Sequence, residues 1–313
     1  MRLPICAVPP VRRKVERIRG RIALAPMKRP SRSVVILGMH RSGTSAVARG
    51  LQALGVYLGN DFLDAQPENP TGYWEDRRIV DLNERALKLL HLKWDDVTAI
   101  GGRAFSGWRM WALRRNARRC LRREFIPEPL WGFKDPRTLR LLPFWLRALR
   151  EIGSDDSYVL VIRNPASVAA SLHTRQRMDL ETAHRLWLVY VVPFLGDLAA
   201  KRLAVVDYDR LMRDPRKQLE RIADKLDLPG DDVTAVNSFV NDFLDARLQH
   251  TLFSLDDIDV RTQAGCLTRD AYALLDEVAA DRRQVDGEFW RAWGRVVLRL
   301  RSTSTSSVSL RSG

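Results

Sequence analysis

The segment from Ser33 to Leu51 joins a β-branched apolar run, Val34 to Leu37, to a turn holding Gly38, Arg41, Ser42 and Gly43, and then to a helix-compatible stretch from Thr44. Strand, tight loop and helix N-terminus in that order gather backbone N–H groups and the positive end of a helix dipole around one point, which suits an anion. A chain built on such a unit is directed towards strand–helix alternation, with its ligand loop at a strand's carboxyl end. The Gly38-x4-Gly43 spacing matches a P-loop, but Thr44 stands where the nucleoside-triphosphatase version needs a lysine. The positive charge lies inside the loop instead, at Arg41.

The alternation continues. Strands are expected at Val34–Leu37, Trp131–Phe133, Tyr158–Ile162 and Leu203–Val206, with Val56–Leu58 as a fifth candidate. Several are near-continuous apolar runs, the pattern of strands covered on both faces. Helices are expected at Thr44–Leu54, Asp76–Leu92, Trp111–Glu124, Leu139–Glu151, Pro165–Arg175, Leu180–Lys201, Pro215–Leu226 and Arg269–Leu300. Asn164 followed by Pro165 is a strong start signal, a cap residue and then proline in the first turn. The predicted fold class is α/β: a doubly wound parallel sheet in a three-layer, P-loop-like arrangement, with helical C-terminal additions. Three regions are expected: a basic N-terminal arm over 1–32, one domain over 33–300, and a disordered Ser/Thr-rich tail over 301–313.

Charge matters chiefly for the arm. The 313-residue chain carries a net +14, of which residues 1–32, with ten Lys/Arg and the single acid Glu16, hold +9. The remainder is therefore only mildly basic, so a nucleic-acid-coating reading rests mainly on the arm, and no specific nucleic-acid partner is expected. Within the arm, Val11, Val15, Ile18 and Ile22 fall at helical spacing among six basic residues, the pattern of a helix that contacts a membrane surface peripherally. Cys6, Cys120 and Cys266 lie far apart without metal-ligand or disulfide-framework spacing. No run nears the roughly 20 apolar residues needed to span a bilayer. A cytoplasmic protein is the expectation, its arm read first as a solvated basic extension packing a few apolar side chains on the domain, with membrane-peripheral contact as the alternative.

The second informative segment is Tyr158 to Leu172. Arg163 follows a buried strand, where such sheets bind ligands, and Ser171 lies about two turns into the next helix. A charged fork and a hydroxyl can grip a second phosphate, although read singly they are also an ordinary strand-end arginine and a small helix-face serine. Together with the first loop, strand–Arg163-x-Pro165–helix–Ser171 resembles the sulfotransferase family that uses 3′-phosphoadenosine 5′-phosphosulfate (PAPS). Lys134-Asp135-Pro136 resembles the Lys-Asp-Pro segment of its tyrosylprotein-type members. Val205 to Leu219, with its Tyr208-Asp209 turn and Asp214-Pro215 helix start, resembles a later element of the family. The matches run in order over about residues 33–250.

That resemblance implies a PAPS site formed by His40, Arg41, Ser42, Gly43, Thr44 and Ser45 for the 5′-phosphosulfate, and by Arg163 and Ser171 for the 3′-phosphate. It implies that Lys134, with Arg41, stabilises the transferring group, and that no metal is needed. Sulfuryl transfer, like phosphoryl transfer, asks mainly for positioning and charge stabilisation. The acceptor hydroxyl also needs a base. In the turn-rich stretch from Gln66 to Arg78, Glu75 is the first choice by position, ahead of Glu68 and Asp76, with Asp135 as a further alternative. The expected acceptor is a hydroxyl, or less readily an amine, of a carbohydrate, glycolipid or small metabolite.

Two other readings fit parts of the sequence. A P-loop nucleotide-dependent kinase would share the loop but needs the lysine that Thr44 replaces. A non-catalytic adaptor with a basic tail would retain the fold but has no need of Arg41, Lys134, Arg163 and Ser171 together.

Overall fold

The computed structural model describes residues 31–66, 72–230, 232–243 and 253–309. Four parallel strands, β1 (Arg32–Leu37), β2 (Leu130–Lys134), β3 (Asp155–Ile162) and β4 (Arg202–Asp207), form a sheet in the order β2-β1-β3-β4. The registers Ile36 opposite Lys134, Leu37 opposite Leu160, and Ile162 opposite Asp207 align the carboxyl ends of all four. The expected fifth strand contributes one bridge, Tyr57 beside Trp131, at the outer edge of β2.

Among the described residues, twelve α-helices surround the sheet. In chain order they are α1 (Thr44–Ala53), α2 (Arg77–Leu89), α3 (Trp108–Glu124), α4 (Arg137–Arg140), α5 (Leu142–Ile152), α6 (Pro165–Gln176), α7 (Leu180–Val191), α8 (Tyr208–Arg213), α9 (Pro215–Leu226), α10 (Val233–Ser238), α11 (Gln263–Ala279) and α12 (Gly287–Ser309). Strand residues alternate between two buried layers. Val35, Leu37, Phe133, Tyr158 and Leu160 join the core under α2, α3, α5, α7 and α11, whereas Val34, Ile36, Val159, Val161 and Val206 join the layer under α1 and α9. Both sides being apolar explains why these strands read as continuous hydrophobic runs. The three-layer, doubly wound fold is as the alternation dictated.

Three expected helices differ in extent. Arg269–Leu300 divides into α11 and α12, because Asp281 takes a left-handed backbone (φ 56°) and Asp286 caps the next start by accepting from the Glu288 and Phe289 amides. The C-terminal member α12 runs on to Ser309, into the stretch expected to be disordered. Leu180–Lys201 stops as an α-helix at Val191 and continues only as a 3₁₀ turn at Leu195–Leu198. Leu139–Glu151 breaks into α4 and α5 around Leu141. The arm over residues 1–30, and Glu68, lie outside the described residues.

Candidate active site

The carboxyl end of β1 turns sharply through residues that no larger side chain fits. A Cβ on Gly38 would sit 2.6 Å from the Thr44 methyl and 2.7 Å from the Val161 carbonyl oxygen. One on Gly43, left-handed at φ 85°, would lie 2.0 Å from the Tyr208 ring. Arg41 is also left-handed (φ 70°), and the turn is closed by the Ser42 amide donating to the Met39 carbonyl at 3.2 Å. Helix α1 then starts without a side-chain cap, so its first amides are left to the loop's own cradle.

Around this cradle the strand ends deliver side chains. Lys134, the last residue of β2, is almost wholly buried. Its Nζ donates to Glu75 Oε1 at 2.7 Å, to the Tyr73 carbonyl at 2.8 Å and to Ser45 Oγ at 3.3 Å. Ser45 Oγ in turn donates to the Tyr73 carbonyl at 3.0 Å. Between Tyr73 and Glu75, Trp74 holds a left-handed backbone (φ 57°), unusual for a bulky residue and a local strain of the kind concentrated at functional sites.

Glu75 is buried, and that burial raises its carboxyl above the ordinary range. The Lys134 charge opposes the rise, Asp135 adds to it, and Arg137 also opposes. Glu75 Oε1 is taken by Lys134, while Oε2 lies 3.7 Å from an Arg137 nitrogen, too far for a hydrogen bond. The alternative acids are engaged differently. Asp76 caps α2 through the Arg78 amide and is gripped by the Arg78 guanidinium at 2.8 and 2.6 Å. Asp135 Oδ1 accepts from the Arg137 amide and guanidinium, both at 2.9 Å.

The end of β3 supplies the second group. Arg163 lies over the Tyr208 ring at 4.8 Å and donates to the Arg41 carbonyl at 3.4 Å, while its buried Nε has no hydrogen-bond partner among the described residues. Arg41 Nε donates to Ser171 Oγ at 3.0 Å, so the first loop and the β3–α6 unit meet directly. Asn164 caps α6 and donates to the carbonyls of Phe253 and Ser254, tying a late loop to the same edge. His40 points to the opposite flank, its ring tilted at 51° to that of Trp94 with centroids 4.6 Å apart, and edge-on to Tyr190. Burial, and then the charges of Arg137, Lys134 and Arg41, hold its pKa well below the usual histidine value, so it is neutral near pH 7. Its Nε2 is shielded from solvent and unpartnered among the described residues.

The structure thus brings His40 to Ser45, Lys134, Glu75, Arg163 and Ser171 to the carboxyl ends of β1, β2 and β3. The sequence reading missed Arg137 beside Glu75, Tyr208 beneath Arg163, and the Trp94 wall. This wall is held by Tyr190, whose hydroxyl donates to the Trp94 carbonyl at 2.7 Å, and by the buried Arg140, which donates to the Lys93 and Thr98 carbonyls. Arg137 and Tyr208 stand inside quoted motifs, whereas Trp94 had no local signal. No cluster of metal-ligating side chains occurs among the described residues.

A family model described as "Sulfotransferase family" matches residues 33–232, which contain every element of this site. The chain belongs to the sulfotransferase family. No curated protein matches it. Among solved structures, this family member is similar to the sulfotransferase domain of the Synechococcus PCC 7002 olefin synthase. The identity is 21%, with 80% of this chain and 97% of that one covered, at a TM-score of 0.44. It is also similar to the sulfotransferase domain from the curacin biosynthetic pathway (15% identity, 85% and 97% covered, TM-score 0.41). A third is sulfotransferase STF1 from Mycobacterium tuberculosis H37Rv (15% identity, 81% and 78% covered, TM-score 0.39). The family supports a sulfotransferase activity for the chain. No described helix is long and apolar enough to cross a membrane.

Proposed function

We propose that the protein moves a sulfuryl group from PAPS to a hydroxyl, or less readily an amine, of a carbohydrate, glycolipid or small metabolite. The observation that carries this reading is the meeting of Arg41 with Ser171 and Arg163, which puts two anion-gripping units side by side at the carboxyl ends of β1 and β3. A donor phosphorylated at both its 3′ and 5′ positions needs two such units; a nucleoside triphosphate needs one. Arg163 Nε, unpartnered among the described residues, is a buried donor of the kind a bound anion satisfies.

PAPS, when bound, supplies the activated sulfuryl group, whose sulfur bonds to the acceptor oxygen as the link to the 5′-phosphate breaks. The chain's residues do the rest. The loop amides and Arg41 hold the 5′ end, Arg163 and Ser171 the 3′-phosphate, and Lys134 Nζ balances charge on the transferring oxygens and on the departing phosphate. Glu75 takes the acceptor's proton on Oε2, the oxygen not bound to Lys134. Its raised pKa makes it a stronger base than an exposed carboxylate, and the Lys134 charge keeps enough of it ionised to act. Neutral His40 contributes a hydrogen bond without adding a fourth positive charge beside Arg41, Lys134 and Arg137.

Incubation of the protein with ³⁵S-labelled PAPS and a fractionated metabolite and glycan extract tests the proposal. A labelled product should form, and Arg163→Ala should abolish most of it. Transfer from γ-labelled ATP, with none from PAPS, would overturn the reading in favour of a kinase.

A further inference from the structure

Helix α3 carries an exposed face that the proposed reaction does not use. Its inner side is anchored by Met110, Leu113, Ala117 and Leu121, all buried against the helices beside it. Arg114 and Arg118 also turn inward, and both pair with Glu151 of α5. The one acid of α3, Glu124, is held by Arg78 and Arg123. Its outward side carries a stripe at i, i+3, i+7, i+11 and i+14, Trp108, Trp111, Arg115, Arg119 and Arg122, with the exposed Arg109 and Arg123 beside it. This spacing keeps the five residues on one side of a helix over about 20 Å. Trp108 is 75% exposed and Trp111 51%, the two most exposed aromatic side chains among the large hydrophobics at the described surface. Arg109 stacks beside Trp108 at 5.4 Å. Arg115 and Arg119 make no ion pair and no side-chain hydrogen bond among the described residues.

We propose that this face of α3 docks the protein onto a membrane surface rich in anionic phospholipid. Two adjacent indoles left in water have apolar rings with one N–H each, the form that settles at the headgroup layer of a bilayer. The arginines that follow along the same line match phosphate oxygens in charge and geometry. The stripe is convex and straight rather than a groove, so it suits a plane better than a small ligand. Because Glu151 and Glu124 are already paired, the positive charge outside is uncompensated. Each basic residue near an anionic leaflet raises affinity by about fivefold. The helix is fixed to the domain on its inner side, so docking requires no refolding. This inference stands independently of the transfer reaction.

The test uses the full chain and vesicles of equal parts phosphatidylcholine and phosphatidylglycerol, with pure phosphatidylcholine vesicles for comparison. The protein should sediment with the anionic vesicles and not with the neutral ones. R115E/R119E should weaken that binding by at least about tenfold, with thermal unfolding unchanged because both side chains are exposed. Lipids brominated on their acyl chains should quench tryptophan fluorescence of the wild type, and W108A/W111A should remove the quenching. Wild-type-like binding by R115E/R119E would overturn the proposal, since attraction would then lie elsewhere, in residues 1–32 first. Absence of quenching in the wild type would overturn it too. So would an oligonucleotide that binds with the same arginine dependence while brominated vesicles leave the fluorescence unaltered, an outcome assigning the face to nucleic acid.

Discussion

Glu75 and Asp76 adjoin in sequence, and both are buried, yet they belong to different regions of the molecule. Glu75 faces the carboxyl end of β2, where Lys134 occupies one of its oxygens and leaves the other without a hydrogen bond among the described residues. Asp76 faces the first turn of α2, where a backbone amide and a bidentate guanidinium engage both oxygens. Burial raises the Glu75 carboxyl, so the carboxylate there is a base with a lone pair to spare. Asp76 is a fastener. The residue type is the same in chemistry, and the difference lies in how many acceptor sites the fold has already filled.

The largest way to break this contrast is to remove the cation. Lys134→Ala should lower kcat by about 10² to 10³-fold, the range for loss of one preorganised charge-stabilising donor. It should also destabilise the fold, because Glu75 would be buried with its nearest cation gone, at a cost of about 3 kcal/mol. The pH dependence has a definite sign. Unfolded Glu75 loses its proton near the ordinary value of 4.5, while the folded variant keeps it to higher pH. Stability of Lys134→Ala should therefore fall as pH rises through that interval, which chemical denaturation at a series of pH values measures.

Glu75→Gln is the next test. Turnover should drop by about 10²-fold, while nucleotide affinity stays within a few-fold, read by single-turnover kinetics and calorimetry. In the wild type kcat should rise with pH through a value above the ordinary glutamate range, and that acidic limb should vanish in the variant. Smaller still is Asp76→Ala. It removes a helix cap and one of the two carboxylate partners of Arg78, so it should lower stability by about 1–3 kcal/mol. Turnover per folded molecule should stay within a few-fold. If Asp76→Ala instead removes turnover without loss of stability, the two acids have been assigned the wrong way round.

The sequence made the local parts of the site legible and left the long-range ones hidden. The β1 loop was readable because its strand, glycines and helix start are consecutive, and Asn164-Pro165 because a cap and its helix are neighbours. Glu75 was one of several acids by position, and what singles it out is a contact with Lys134 across 59 residues. The Trp94 wall depends on Arg140 and Tyr190 reaching back 42 to 96 residues to backbone carbonyls, and no sequence pattern encodes a carbonyl as a partner. The split between α11 and α12 was missed for another reason. Apolar residues continue at helical spacing on both sides of Asp281, and the break comes from one left-handed residue that is not glycine.

The most direct test of the central claim is a thermal-shift comparison of 3′-phosphoadenosine 5′-phosphate, adenosine 5′-phosphate and ATP with Mg²⁺, on wild type and Arg163→Ala. The account predicts that the doubly phosphorylated nucleotide raises the wild-type Tm most, and that Arg163→Ala loses that advantage while retaining the smaller response to adenosine 5′-phosphate. A wild type stabilised by ATP with Mg²⁺ and indifferent to the 3′-phosphate would contradict it.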